Sequence, residues 1–441
     1  MWRQERQQRE SPSALPWRSR EKSSPFPRKN GTASLTVLGG IAVKQVDVQF
    51  VDREMVIPCG YPFGIKMFTE GVVVVGLTDV EENGIFRNPA QEAGIRVGDV
   101  LTELDGQTVS LNEDVAAIIA SSGGREISYT LKRKDQTLTG TLQPIRADSG
   151  EYKAGIWVRD SSAGIGTMTY YDPSTMIFAG LGHAVCDVDT GETLPLGKGE
   201  IVDVTITSVE KGISGQPGSL QGSFEGSRLA GFMAVNSETG VYGQLTSLPV
   251  STLKPVPIAM KQEVREGAAQ IYTTISGCTP QCYDIVIESV NLSSTAKTKS
   301  MVIRVTDPEL LEATGGILQG MSGSPILQDG KLVGAVTHVF VNDQTRGYGI
   351  FAENMQELPR VLRSVPQPDQ SDPEGDFPLR MLHKIRISIL TSEEKPPVRE
   401  REIRESGTSA SRDTGIRRWQ NSGIPQMLSG RRGQVLSALP G

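Results

Sequence analysis

The sequence predicts a mainly β chain, and three observations carry this reading. Glycine is abundant at 48 and proline at 26, while aromatic residues make up only 5% of 441 positions. Short apolar runs parted by Gly, Asp-Pro or Asn recur through residues 147–360, among them Met176–Ala179, Val202–Ile206, Ile285–Val290, Met301–Val305 and Leu332–Val336. No long helical period intrudes until Asn354–Leu362. About ten strands over ~200 residues suggest a sandwich or a pair of barrels.

Taken in order, residues 1–33 are Arg, Gln, Ser and Pro without period, a disordered basic tail. Residues 34–58 form a linker with strand-like alternation, as in Val46–Val51. Residues 59–146 form a unit. Phe63-Gly64-Ile65 precedes the buried strand Gly71–Gly76. Ser110 and Glu113 have capping-box spacing and open an amphipathic helix, Leu111–Ala120, with Leu111, Val115, Ile118 and Ile119 on one side. Ile127–Leu142 alternates as a strand pair. Residues 147–365 hold the strand-rich region, and residues 366–441 revert to a disordered tail apart from Met381–Leu390, which suits a short strand or helix.

Net charge is −6, unevenly spread. Residues 1–29 carry eight Arg/Lys against three Glu, residues 367–441 twelve against ten Asp/Glu, and the middle is −13. An acidic core argues against a nucleic-acid groove. The basic tails suit either solvated disorder or peripheral contact with anionic lipid. No run approaches the ~18–20 apolar residues of a membrane span; the best N-terminal candidate, Ala33–Val43, is too short to cross and holds two glycines, and the basic Ser/Pro/Arg-rich start lacks the apolar core of a signal peptide. On this reading the chain is soluble or peripheral. Cys278 and Cys282 have no second pair to complete a zinc site, so no metal and no cofactor are assigned. A disulfide and two buried thiols both remain open.

The run AGIRVGDVLTELDGQTV, residues 93–109, resembles PDZ domains of bacterial proteases. Such domains add an extended peptide to a sheet edge. The resemblance implies that N–H groups around Phe63, Gly64 and Ile65 take a terminal carboxylate, with Val115 and Ile119 lining the groove. The plain alternative makes Phe63 and Ile65 core residues.

The chemistry centres on Gly320-Met321-Ser322-Gly323-Ser324-Pro325. A serine framed by glycines can sit on a sharp turn with N–H groups facing a carbonyl. The bland reading is a turn between strands. Gly-x-Ser-Gly-x-Pro is the arrangement of trypsin-like proteases, which favours Ser322 over Ser324. The oxyanion hole then comes from the N–H groups of Gly320 and Ser322. Only three histidines are present, at 183, 338 and 383. His183, in Gly-Leu-Gly-His-Ala-Val at a strand end, is the candidate base, and His338 falls on a strand beside the substrate. Asp307 closes the strand Met301–Thr306 before Pro308 and would orient His183; a turn-forming Asp before Pro fits the spacing equally. Asp187 and Asp189 suit a hairpin turn.

GLGHAVCDVDTGE and the run VTDPELLEATGGILQGMSGSPILQDGKLVGAVTHVFVNDQTRGYGIF, with the preceding PDZ unit, resemble the stage IV sporulation protein B family of PDZ-containing serine peptidases from spore-forming bacteria. The resemblance covers roughly residues 46–360. It implies a PDZ domain (59–146) followed by a trypsin-like double β-barrel peptidase (147–365) with a His183–Asp307–Ser322 triad. It implies self-cleavage, cleavage of a membrane-bound regulator of an intramembrane protease, and through that the activation of a late sigma factor. It also implies a forespore-derived protein, anchored or secreted into the intermembrane space. The family opens on a membrane-crossing or signal segment and ends soon after the segment matching Gly347–Phe351. This chain departs at both ends, which are expected to be gene-prediction or frameshift artefacts, or the mark of a divergent member. The rival reading is a non-enzymatic PDZ scaffold with a degenerate protease domain; a PDZ-bearing transporter or adaptor leaves the Gly-Met-Ser-Gly-Ser-Pro turn unexplained.

Overall fold

The computed structural model describes residues 31–37, 41–48 and 53–364, except 135, 224–227, 248–252, 294 and 296. It forms two units, residues 1–53 and 54–441. In the first, Gly31–Val37 pairs antiparallel with Ile41–Val48. The strand Gly31–Val37 thus overlaps the stretch expected as tail. The rest of that tail and the segment 366–441, including Met381–Leu390, lie outside the described residues.

Two strands of sixteen residues organise the second unit, β1 (Pro62–Leu77) and β5 (Ile156–Tyr171). Between them lie α1 (Pro89–Glu92), β2 (Val100–Leu104), α2 (Asn112–Ser121), β3 (Ile127–Arg133) and β4 (Gln136–Leu142). β1 and β5 run antiparallel from Thr167↔Pro62 to Ile156↔Leu77. The first half of β1 also pairs with β7 (Leu196–Asp203), and its second half with β2. Gly71 marks the change-over at φ +84°, where a Cβ would meet the Leu101 carbonyl oxygen at 2.5 Å. Only glycine fits there. Thr69 Oγ1 donates to Gly71 O and steadies the step.

The first barrel is a ring in the order β1-β7-β8-β9-β6-β5, with β6 Ile177–Gly180, β8 Leu229–Ser237 and β9 Gly240–Leu245. The β1–β5 pairing closes it. Ile65, Met67, Phe178, Ile201, Met233 and Val241 fill it, each at most 1% exposed. The second barrel is closed in the order β10-β11-β12-β15-β14-β13: Gly267–Thr273, Gln281–Val290, Met301–Val305, Asp343–Phe351, Lys331–Phe340 and Pro325–Gln328. Its core is rich in β-branched side chains, Ile271, Ile285, Ile287, Ile303, Ile326 and Val336, which suit a pleated and half-buried surface. α3 (Pro308–Thr314) lies between the barrel strands β12 and β13, and α4 (Glu357–Ser364) follows the last of them, β15.

The mainly β fold expected from the sequence is present, with one difference from two domains in series. The PDZ element sits between β1 and β5, so the first barrel strand precedes it and both long strands serve two sheets. Val72, Val74, Leu101, Leu104, Ile127 and Leu131 form its own core under Val115, Ile118 and Ile119 of α2. The helix cap is displaced by one residue from the expected Ser110/Glu113 box. Asp114 accepts from the N–H groups of Ser110 (3.0 Å) and Leu111 (2.9 Å), and Leu111 is exposed rather than on the apolar side.

Phe63, Gly64 and Ile65 do not form a carboxylate-binding loop. They lie in mid-strand, with β5 on one edge and β7 on the other. Both rows of backbone groups are spent in ladders, and the two side chains are core. All four cysteines are free thiols; Cys278 and Cys282 are exposed, so they are neither bridged nor buried.

Candidate active site

The nucleophile turn is set by which peptide carbonyls are tied down. Leu220 N–H donates to Gln319 O at 2.9 Å, and Ser324 N–H donates to Met321 O at 2.9 Å. In a trans peptide the N–H points opposite to the C=O. The N–H groups of Gly320 and Ser322 are therefore aimed away from those partners. Neither donates to a backbone acceptor among the described residues. Two unpartnered N–H groups two residues apart are what an oxyanion needs.

The first barrel holds this turn through Thr167 on β5. Its N–H donates to Ser322 O (2.9 Å) and its buried Oγ1 to Gly320 O (2.7 Å). The approach is close: Gly323 has φ +96°, and a Cβ there would fall 1.9 Å from Thr167 O and 2.6 Å from Leu181 N.

The two serines of the turn do different things. Ser324 is fully buried; its hydroxyl bonds Met321 O (2.7 Å) and Thr273 Oγ1 (2.9 Å). It is part of the scaffold that orients the Ser322 N–H. Ser322 is 6% exposed, and its Oγ donates to Thr337 O at 2.7 Å on β14.

His183 follows β6 on a tight turn in which Leu181 (φ +64°) and Gly182 (φ +75°) are both left-handed. A leucine in that region costs energy and marks an over-determined site. Leu181 N–H donates to Thr167 O (3.3 Å), so one residue of β5 joins the His183 turn to the nucleophile turn. Nδ1 of His183 lies 2.8 Å from Ala184 O. A carbonyl only accepts, so Nδ1 carries the proton and Nε2 keeps the lone pair. Nε2 is buried without a partner. Burial pushes the ring below the usual histidine range, opposed by the bond to Ala184. A neutral imidazole with its basic nitrogen free is the state a general base requires.

Asp307 is not brought to His183. One carboxylate oxygen caps α3, accepting from Glu309 N (3.0 Å) and Leu310 N (3.1 Å); the other accepts from Asp284 N (3.2 Å). Asp before Pro is a strong helix start, since Pro at the first turn has no N–H to leave unsatisfied. The candidate base thus has its tautomer set by a main-chain carbonyl. Asp187 and Asp189 build a turn, as their spacing suggests: Asp187 accepts from the N–H groups of Asp189 and Thr190. Both aspartates also ion-pair with Arg159 of β5.

Val115 and Ile119 line a groove of about 720 Å³ with Ala116, Ile156, Trp157 and Val158. Among the described residues no strand pairs with the second edge of β5 at 156–159. The groove thus combines an open strand edge with an apolar helix face. Sequence reasoning missed Thr167, Thr337 and Arg159, because a strand threonine or arginine carries no local signal of a distant turn. Among the described residues no three His, Cys, Asp or Glu side chains gather into a metal-binding group.

Residues 150–356 match the SpoIVB peptidase S55 family, and residues 87–133 match the PDZ domain family. A curated relative, "Putative zinc metalloprotease CPE1693" of Clostridium perfringens, is 38% identical over 69 residues, 16% of this chain and 21% of that protein. A like-named Bartonella henselae protein, BH06270, is 33% identical over 81 residues, 18% and 22% of the two chains. The chain thus spans about a fifth of the length of these relatives. Among solved structures, the HtrA-type protease AlgW with tripeptide aligns at 11% identity and TM-score 0.28, covering 46% of this chain and 57% of that one. The inactive form of Rv3671c from M. tuberculosis H37Rv aligns at 14% and 0.26, covering 46% and 84%. Those two scores are too low to carry an inference.

Proposed function

We propose that this SpoIVB-like, PDZ-containing serine peptidase is an endopeptidase in which Ser322 is the nucleophile and His183 the general base. The observation that carries the proposal is the orientation of the Gly320 and Ser322 N–H groups. Each is set by a carbonyl bonded on the opposite side, beside a serine hydroxyl and a buried imidazole nitrogen with no partner.

The Ser322 hydroxyl turns from Thr337 O toward Nε2 of His183, which takes its proton as Oγ attacks the substrate carbonyl. The carbonyl oxygen becomes an oxyanion and accepts from the two N–H groups, each worth ~10²–10³ in rate. His183 returns the proton to the leaving amine as the C–N bond breaks. A water molecule then repeats the sequence on the acyl-enzyme, giving the free carboxylate and Ser322. Catalytic hydrogen bonds often tighten only in the substrate complex, so the hydroxyl's bond to Thr337 O describes the resting state.

Protein substrates follow from the chemistry. The family resemblance supplies the finer reading: the chain cuts itself and a membrane-bound regulator of an intramembrane protease, in sporulation signalling. The groove between α2 and β5 takes an extended peptide by strand addition. Its regulatory role is supported by β5, which runs from that groove, past Arg159 at the His183 loop, to Thr167 at the nucleophile turn. The bond of Ser322 to Thr337 O, and the Asp307 carboxylate spent on capping α3 rather than on His183, are the features favouring a non-enzymatic scaffold. Purified wild-type protein beside Ser322→Ala and His183→Ala decides between them. The enzyme reading expects self-cleavage in the wild type alone; equal fragmentation in all three supports the scaffold.

A further inference from the structure

His338 is a half-buried histidine that the mechanism above leaves unused. It sits on β14 one residue after Thr337, whose carbonyl receives the Ser322 hydroxyl. Its ring packs on His183 with centroids 5.1 Å apart and planes tilted 42°. Each of the two imidazoles has a buried nitrogen without a partner, Nε2 of His183 and Nδ1 of His338. A buried polar atom without a partner costs free energy and calls for an explanation, a catalytic role being one. No carboxylate bonds either nitrogen of His183: Nδ1 has the Ala184 carbonyl and Nε2 has nothing.

We propose that His338 is a positioning residue for the Ser322–His183 reaction, a neutral imidazole that faces His183 and stabilises the imidazolium formed when Ser322 gives up its proton. The proposal rests on the nucleophile and base assigned above. In a serine triad the third group holds the base ring and offsets its transient charge. A neutral imidazole supplies part of this through its lone pair and its dipole. Its neutrality is secured by its surroundings. Burial, His183 and Lys299 together push His338 down to about 4, so at neutral pH it carries no charge to repel the imidazolium. His183 from the turn after β6 and Lys299 from the β11–β12 connection are the titratable groups facing it. Lys299 in turn lies over the Tyr348 ring of β15, 5.2 Å from its centroid. The neighbouring Thr337 is itself anchored, its Oγ1 donating to Thr298 O at 2.9 Å. His338 therefore stands on a strand fixed from both sides.

The test uses a fluorophosphonate probe, which labels an activated serine without a known substrate. Labelling rates are followed from pH 4 to 9 for the full-length wild type, His338→Phe and His338→Gln. The proposal expects His338→Phe to slow labelling at pH 7.5 by about 10–100-fold and to move the acid limb of the profile to lower pH, because the imidazolium of His183 loses its polar neighbour. His338→Gln, with a carbonyl acceptor, recovers part of the rate and part of the shift. With three histidines in the chain, imidazole NMR gives the same answer directly, as a lowered His183 titration in the Phe variant. Wild-type rate and an unmoved limb in His338→Phe overturn the proposal. A uniform loss in both variants, with the limb and the His183 titration unmoved, also overturns it, since packing alone explains that pattern. Should the Phe variant fail to fold, His338→Gln decides alone: its limb must lie below that of the wild type. Labelling of Ser322→Ala separates the two levels. If that variant labels like the wild type the nucleophile reading itself fails, whereas failure of the His338 proposal leaves labelling dependent on Ser322.

Discussion

The second barrel closes through six strands of its own, whereas the first closes only where β1 and β5 pass through it on their way into the PDZ sheet. The difference divides the chemistry. The second barrel presents Ser322 on a turn locked by short bonds within and around it. The first presents His183 on a left-handed turn whose neighbours are held from β5, by Arg159 at Asp187 and Asp189 and by Thr167 at Leu181. On the proposed reading, the nucleophile turn is held mostly by bonds within its own barrel and meets β5 at Thr167, while the base sits on a turn tied to the strand that also lines the groove.

The sharpest way to break this comparison is to remove the base. His183→Ala is expected to cut labelling or cleavage ~10³-fold or more, matching Ser322→Ala because such groups act as a unit; a loss below tenfold would move the base elsewhere. Next in size is the contact between the barrels. Gly323→Ala forces a Cβ to 1.9 Å from Thr167 O at φ +96°, which costs on the order of 3 kcal/mol or more. Urea unfolding reads it, and an unchanged midpoint contradicts the close approach.

Acidification sharpens the same interface. His338 is held at about 4 in the folded chain, against ~6.5 in the unfolded one. The unfolded state binds the proton first as pH falls. Stability from this group is therefore complete above pH ~6.5 and is lost between there and pH 4, by roughly 3 kcal/mol. His183 acts in the same direction. Urea titrations from pH 7 to 4 check it, and His338→Phe should flatten the curve.

The smallest expected effect is the most discriminating. Asn caps helices about as well as Asp, so Asp307→Asn keeps α3 and removes only the charge. Activity within about threefold of wild type and an unchanged midpoint agree with a capping role. A fall of 10² or more at unchanged stability would mean that Asp307 reaches His183 in the working enzyme.

Much of the architecture was legible because short β-branched runs between glycines have few other uses, and the nucleophile turn because glycine spacing around a serine is a local signal. Continuity was not legible. Phe63–Ile65 and Gly71–Gly76 looked like a loop and a strand, yet both lie in one sixteen-residue strand, as does the whole of β5. The polar Arg159–Ser162 stretch interrupts the apolar pattern where β5 crosses from one sheet to the other, and no local rule marks such a crossing. Phe63 and Ile65 were misplaced for the same reason. The role of Asp307 was ambiguous in the sequence itself, because an aspartate before proline suits a helix cap as well as a strand-end acid.

The central claim is that Ser322, and not its buried neighbour Ser324, is the activated serine. Fluorophosphonate labelling followed by peptide mapping tests it most directly. The account predicts one labelled residue, Ser322, with the adduct lost in Ser322→Ala and slowed in His183→Ala. An adduct on Ser324, or labelling indifferent to both substitutions, would contradict it.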